Sequence, residues 1–280
     1  LPYREAENDA GRGGRREKMR KSIKLYFCYV SVILRSTMQY KLSFILMLFG
    51  RFILAFNGFI AIWFLFSGFT RIGSYSFSDV LLCFSVIQMS FSIAECLASG
   101  FKSFSGMIRK GEFDRMLLRP RSPILQVLGT RFELGRLGPM ITAVITLVIG
   151  IRKSNLTWDP ARIITLLMMV AGGSVLFMAL FMLGASLCFF AVEDAGIMNV
   201  LTYGAREHGK YPIDIYGKRM MAFCTYIIPY TLIQYYPLQF LLGKTQHWQY
   251  AMYPMGSVLF CALCYMVWRW GLRSYKSCGN

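Results

Sequence analysis

The chain alternates apolar runs of membrane-spanning length with short polar stretches. The first full run covers about 42–66, LSFILMLFGRFILAFNGFIAIWFLF. A helix rising about 1.5 Å per residue needs some 20 residues to cross a hydrocarbon layer roughly 30 Å thick, so this run is long enough. Similar runs predict helices over about 77–100, 125–151, 163–190, 220–242 and 251–270, which makes an all-α membrane protein of six spans. Ahead of them, residues 19–40 mix Lys21, Lys24 and Arg35 with Tyr26, Phe27, Tyr29, Val30, Ile33 and Leu34. That pattern suits an amphipathic helix lying in the membrane interface, or else an upstream extension of the first span. Residues 1–18 are polar and basic, and Met19 offers a natural start, so 1–18 are expected to be a flexible or non-native extension. The expected organisation is then a six-helix membrane domain over 41–273 and a short tail over 274–280.

Composition excludes a soluble reading. Hydrophobic residues make up 55% of the chain and charged residues 16%, against about 25% charged in an ordinary globular domain. The net charge of +17 would suit a nucleic-acid binder, but the basic residues lie in short connections and no polar stretch of domain size exists to carry such a surface. The connection 101–123 is the richest, with Arg109, Lys110, Arg115, Arg119 and Arg121. Positive connections stay on the cytosolic side, so 101–123, the polar stretch 203–219 and both termini are expected inside. The connection 152–162 is expected outside despite Arg152, Lys153 and Arg162.

Polar residues inside the spans change the picture locally. Arg51, Gln88 and Glu95 must face protein or water, which makes them candidates for a polar pathway or for pairing between helices. Arg136 lies three residues from Glu133 and could meet it on one helix face. In the fourth run Gly172, Gly173, Ala179, Gly184, Ala185 and Ser186 allow close helix approach. Pro229 and Pro237 are expected to shape the fifth helix by kinking or unwinding it.

Catalytic and metal-binding patterns are not visible. Cys261 and Cys264 form a CxxC pair within an apolar run with no second ligand pair, and read as small buried hydrophobes. His208 and His247 are expected on opposite sides of the membrane, and no GxSxG elbow occurs. The tripeptide Gly243-Lys244-Thr245 resembles the end of a phosphate loop, but the position where that loop requires its first glycine is Leu238. If ATP drives this protein, another chain hydrolyses it.

Two composite motifs carry a resemblance. The run 111–120, GEFDRMLLRP, followed by Gln126-Val127, is similar to the cytosolic signature of bacterial ABC-2-type transporter permeases, with its glycine, aspartate and leucine-leucine-arginine-proline tail. Tyr211-Pro212, Ile215-Tyr216, Ile228-Pro229, Tyr236-Pro237 and Leu241-Leu242-Gly243 resemble the same family, over roughly 24–272. The pair Phe189-Phe190 ahead of Glu193 departs from it, since an aromatic-tryptophan pair is common there. The resemblance implies an ABC-2 exporter fold with a cytosolic coupling helix within 106–121, whose Gly111, Asp114, Leu117, Leu118, Arg119 and Pro120 would contact an ATPase. It implies two ATPase subunits per complex, ATP and Mg bound by those subunits, a second permease that is identical or paralogous, and residence in the bacterial cytoplasmic membrane. An ion-gradient-driven secondary transporter and a membrane-embedded lipid-modifying enzyme remain the competing readings. The transported substrate is left open.

Overall fold

The computed structural model describes residues 26, 28–154, 156–190, 200–245 and 247–275. The expectations for 1–18 and for Glu193 lie outside them, as do the first residues of the 19–40 helix. The described chain is helical: α1 (28–38), α2 (Lys41–Gly68), α3 (Phe77–Lys102), α4 (Phe104–Arg109), α5 (Glu112–Leu117), α6 (Pro123–Thr130), α7 (Leu137–Lys153) and α8 (Pro160–Leu187) come first. After them come α9 (Ala205–His208), α10 (Lys218–Tyr226), α11 (Tyr230–Ile233), α12 (Tyr235–Leu241), α13 (Gln249–Met252) and α14 (Gly256–Ser274). Among the described residues five stretches are long and apolar enough to cross a membrane: Lys41–Gly68, Phe77–Arg109, Leu134–Lys153, Pro160–Leu187 and Gln249–Ser274.

Local chemistry fixes where these helices start. Ser76 and Asp79 close a reciprocal capping box at the head of α3: Asp79 Oδ2 accepts from the Ser76 amide at 3.0 Å, and the Ser76 hydroxyl accepts from the Asp79 amide. Pro160, following Asp159 at the N-cap, opens α8 where its missing N–H would be an orphan anyway.

α3 is the hub, packed against α7 and α8, while α14 packs on α8 and α2 leans on α7. α2 and α3 are comparably apolar, yet only 6% of the core window of α2 is buried against 83% for α3. The difference lies in side-chain size. α2 is rich in Phe, Leu and Ile, whereas α3 carries Cys83, Ser85, Ser90, Ser92, Ala94, Cys96, Ala98 and Ser99, small residues that let neighbouring backbones close in. α8 answers with Gly173, where an added Cβ would sit 2.5 Å from Ser90 Oγ and 2.8 Å from Ser90 Cβ. Gly173→Val is therefore expected to push α8 off α3 and to destabilise the fold by about 1–3 kcal/mol. Thermal unfolding of the solubilised chain checks it, and Ser90→Gly in the same chain should recover most of the loss.

The helices alternate between two ends. One holds the 69–76 turn, where Lys153 at the end of α7 lies over the Phe77 ring at 5.2 Å. The other holds α4–α6, where the Tyr275 hydroxyl at the end of α14 donates to Asp114 at 3.1 Å and the Tyr26 hydroxyl ahead of α1 donates to the Leu97 carbonyl at 3.1 Å. Both chain ends, as described, thus meet at the α4–α6 end.

Three sequence expectations change. The run 125–151 is not one helix: Arg131 is extended (φ −145°, ψ 129°), and the chain turns through Leu134–Arg136 before α7 begins. The run 220–242 is divided into α10, α11 and α12. The breaks, after Tyr226 and at Gln234, fall three residues ahead of Pro229 and Pro237, where a proline ring collides with the preceding turn and withholds its N–H. The stretch 203–219 does not lie with 101–123. Tyr203 donates to Glu95 at 2.8 Å, Cys83 reaches the Gly209 carbonyl at 3.4 Å, and Asp214 accepts from Tyr75 at 2.9 Å, so this stretch climbs along α3 to the 69–76 end. His208, expected on the side opposite His247, instead lies partway up this climb, next to Gly209, while Lys244, three residues before His247, donates to Ser74 at the 69–76 end. A single side chain ties the divided run to the climbing stretch: Gln234 Nε2 donates to the carbonyls of Gly209 and Tyr211, each at 2.7 Å.

Candidate functional site

The α4–α6 segment follows α3 directly and folds back on the bundle because its apolar residues recur at helical spacing, Phe104, Met107 and Ile108 at i, i+3 and i+4 and Phe113 beyond the turn. Phe104, Met107, Ile108 and Phe113 are buried. Phe104 meets Phe113 at 4.9 Å, Phe189 at 5.1 Å and Trp268 of α14 at 5.1 Å between ring centroids, and Phe113 also meets Tyr275 at 5.4 Å. Such edge and tilted contacts fix ring orientation as well as burying area. The segment is therefore fastened to α8 and α14 as well as to α3.

The turn between α4 and α5 is made by Gly111 at φ +63°, a left-handed conformation that costs a residue with a Cβ roughly 1–2 kcal/mol. From there α5 presents Asp114 inward to the Tyr275 hydroxyl and leads to the exposed tip. Leu117 is 39% and Leu118 86% exposed, and Arg115, Arg119, Pro120 and Arg121 around them are exposed as well. Gln126, quoted in the sequence motif only as a flanking residue, holds this tip: its Nε2 donates to the Met116 carbonyl at 3.1 Å and to the Arg121 carbonyl at 3.2 Å. The result is a fixed apolar knob with a cationic rim.

The polar residues inside the helices are placed as follows. Arg51 Nη2 donates to Glu133 Oε1 at 2.5 Å, joining α2 to the turn before α7. Glu95 is fully buried, and its Oε1 accepts from Arg136 Nη2 at 2.6 Å, from the Tyr203 hydroxyl at 2.8 Å and from Lys102. Arg136 thus bypasses Glu133, the partner expected from spacing, because the break before α7 swings it toward α3. Gln88 is 4% exposed within α3. Lys102, Arg136 and Tyr203 as partners of Glu95 were not legible in the sequence; a buried carboxylate called for cations, but nothing local said which.

Lys244 of the phosphate-loop-like tripeptide donates to Ser74 O and Oγ and lies 3.6 Å over the Tyr75 ring. Tyr75 itself is buried beside Asp214, and both effects push its phenol up, which keeps it a donor. No group of three metal-ligating side chains occurs among the described residues, and Cys261 and Cys264 are free thiols on α14.

A bundle of long apolar helices with a helical appendage at one end defines a multi-pass membrane protein. The family described as ABC-2 family transporter protein matches residues 52–279, and the chain belongs to that family, as a transmembrane permease subunit of an ABC transporter. No curated protein and no solved structure matches it.

Proposed function

We propose that the protein is the permease of an exporter in the bacterial cytoplasmic membrane, driven by two separate ATPase subunits that bind ATP and Mg, and paired with a second permease, identical or paralogous. The observation that carries the coupling assignment is the Leu117–Leu118 knob in its cationic rim, built by the segment from Gly111 to Pro120 and held by Gln126. A desolvated apolar anchor with a charged rim is the usual anatomy of a protein contact. In this reading closure of the ATPases around ATP moves the knob; the Phe104–Phe113–Trp268 cluster passes the movement to α8 and α14, and Lys102 passes it to Glu95, Arg136 and Tyr203. A substrate biases such a cycle only through unequal contacts with its two states.

The six-span reading is retained in altered form. The fifth crossing is assigned to the stretch ending at Asp214, which runs beside α3, and α10–α12 form a dip that returns to the 69–76 end. α1 then lies along the cytosolic interface, with Val32, Leu34 and Met38 exposed toward lipid, and both termini are cytosolic. The ion-gradient reading is disfavoured by Glu95, which is already engaged by two cations. Co-expression with cassette ATPases encoded beside this gene tests the assignment: an ATPase should co-purify with the intact chain, and absence of association with every such subunit would overturn the reading.

A further inference from the structure

α3 runs from the 69–76 end to the coupling segment, and it bends on the way. At Ala98 the backbone takes φ −117° and ψ 19°, against about −63° and −42° in a regular α-helix. α3 contains no proline, and donors reaching into the helical ladder from outside are another cause of such a bend. Two do so here. The Glu133 amide donates to the Cys96 carbonyl at 3.2 Å, and the Tyr26 hydroxyl donates to the Leu97 carbonyl at 3.1 Å. In an unbroken helix those carbonyls serve the amides of residues 100 and 101, on the far side of Ala98.

The turn beyond the bend has fastenings of its own. The Ser99 hydroxyl donates to the Arg131 carbonyl at 2.9 Å, and Gly100 lies so close to α6 that an added Cβ would collide with the Val127 carbonyl. Residues 131–133, outside any helix, therefore span the bend as a strap, bonded through Glu133 to the part of α3 before Ala98 and through Arg131 to the part after it. The buried ion cluster spans it too. Glu95 precedes Ala98, and Lys102 reaches back across it to Glu95 and to Tyr203.

We infer that α3 hinges at Ala98 when the coupling segment moves, and that Tyr26 is a positioning residue that holds the resting, bent form. This rests on the transport reading and names the moving joint within it. Straightening α3 turns the Leu97 carbonyl back along the helix toward the Phe101 amide, so the bond from Tyr26 belongs to the bent form alone. A contact made in one state only is what biases an equilibrium, and one hydrogen bond of ordinary net worth shifts the ratio of populations about five-fold. The hydroxyl also has a firm base. Three residues on, the Tyr29 ring packs on α6, where an added Cβ on Gly129 would sit 2.6 Å from its Cδ2.

Native Cys96, 6% exposed and bonded through its carbonyl to the strap, reports the opening, because the labelling rate of a buried thiol follows the population of the form that exposes it. N-ethylmaleimide labelling of the full chain in lipid vesicles is read cysteine by cysteine by mass spectrometry. Tyr26→Phe is expected to speed Cys96 about five-fold, while Cys83 and Cys264, buried away from the bend, keep their rates. Tyr29→Phe keeps its ring contact and loses a hydroxyl that makes no hydrogen bond among the described residues, so it should change none of the three. In complex with a hydrolysis-deficient ATPase, ATP should speed Cys96 in the parent chain, and the ATP concentration for half the effect should fall in Tyr26→Phe. An unchanged Cys96 rate in Tyr26→Phe would overturn the inference. Equal acceleration at Cys83 and Cys264 would do the same, since that marks a loosened fold, as would a Tyr29→Phe effect equal to that of Tyr26→Phe. ATP without effect on Cys96, in a complex whose unmodified ATPase turns over, would remove the hinge and leave the transport reading standing. If no ATPase associates, the transport reading falls, and the comparison of Tyr26→Phe with Tyr29→Phe still decides the hinge.

Discussion

Glu95→Gln is expected to be the most damaging single substitution in the described structure. The change keeps shape and removes one charge, leaving Lys102 and Arg136 together on a neutral amide, whose oxygen still accepts from Tyr203 but no longer offsets the two cations. Breaking a buried pair from one side typically costs about 3–5 kcal/mol, because the remaining charge stays desolvated. In a chain of this size that corresponds to a fall in melting temperature of roughly 10 °C. Two features set the scale here: the carboxylate is fully buried, and its cationic partners are no more than a third exposed, so solvent screens little of the repulsion. Adding Lys102→Met to Glu95→Gln should restore part of the loss by removing one of the two stranded cations. Thermal unfolding of the solubilised single and double variants decides it. A single variant as stable as the parent would show that water already reaches Glu95.

The second large effect is expected at the tip of the α4–α6 segment. Leu117→Glu with Leu118→Glu should leave the fold intact, since both side chains are exposed and the turn beneath them is held by Gln126 and Gly111. Association with the ATPase should instead weaken by at least two orders of magnitude, because each interface anchor of this type contributes on the order of 2 kcal/mol or more. The readouts are co-purified ATPase per permease and ATP turnover of the reconstituted complex, alongside an unchanged melting temperature. Undiminished association would remove the knob from the interface and with it the coupling assignment. Gln126→Ala offers a graded comparison, since it loosens the tip without altering its chemistry.

The two effects lie at opposite ends of one short path. Lys102 closes α3 and reaches Glu95, while Ser103 and Phe104 begin the segment that ends at Leu118. In the proposed cycle a displacement of the knob would act on the buried ion cluster through helix α4 and its aromatic contacts.

Much of this protein was determined by the sequence alone. The membrane class, four of the long helices to within a few residues and the glycine-rich packing face of α8 follow from local pattern, since run length and residue size act over a few neighbouring positions, whereas the motif from Gly111 to Pro120 stood out through a family resemblance. Pro229 and Pro237 were recognised as disruptive, but hydropathy cannot measure how far a proline breaks a helix, and 220–242 looks continuous by composition. The course of 203–219 was misread for a related reason. Its charges follow the rule for cytosolic connections, whereas its actual level is set by partners far along the chain, Tyr75, Cys83, Phe91 and Glu95. Partner choice among the buried ions was likewise a tertiary decision. Arg136 had a carboxylate three residues away and took another 41 residues away, because the break before α7 sets its direction and the full burial of Glu95 gives that carboxylate the greater need of a cation.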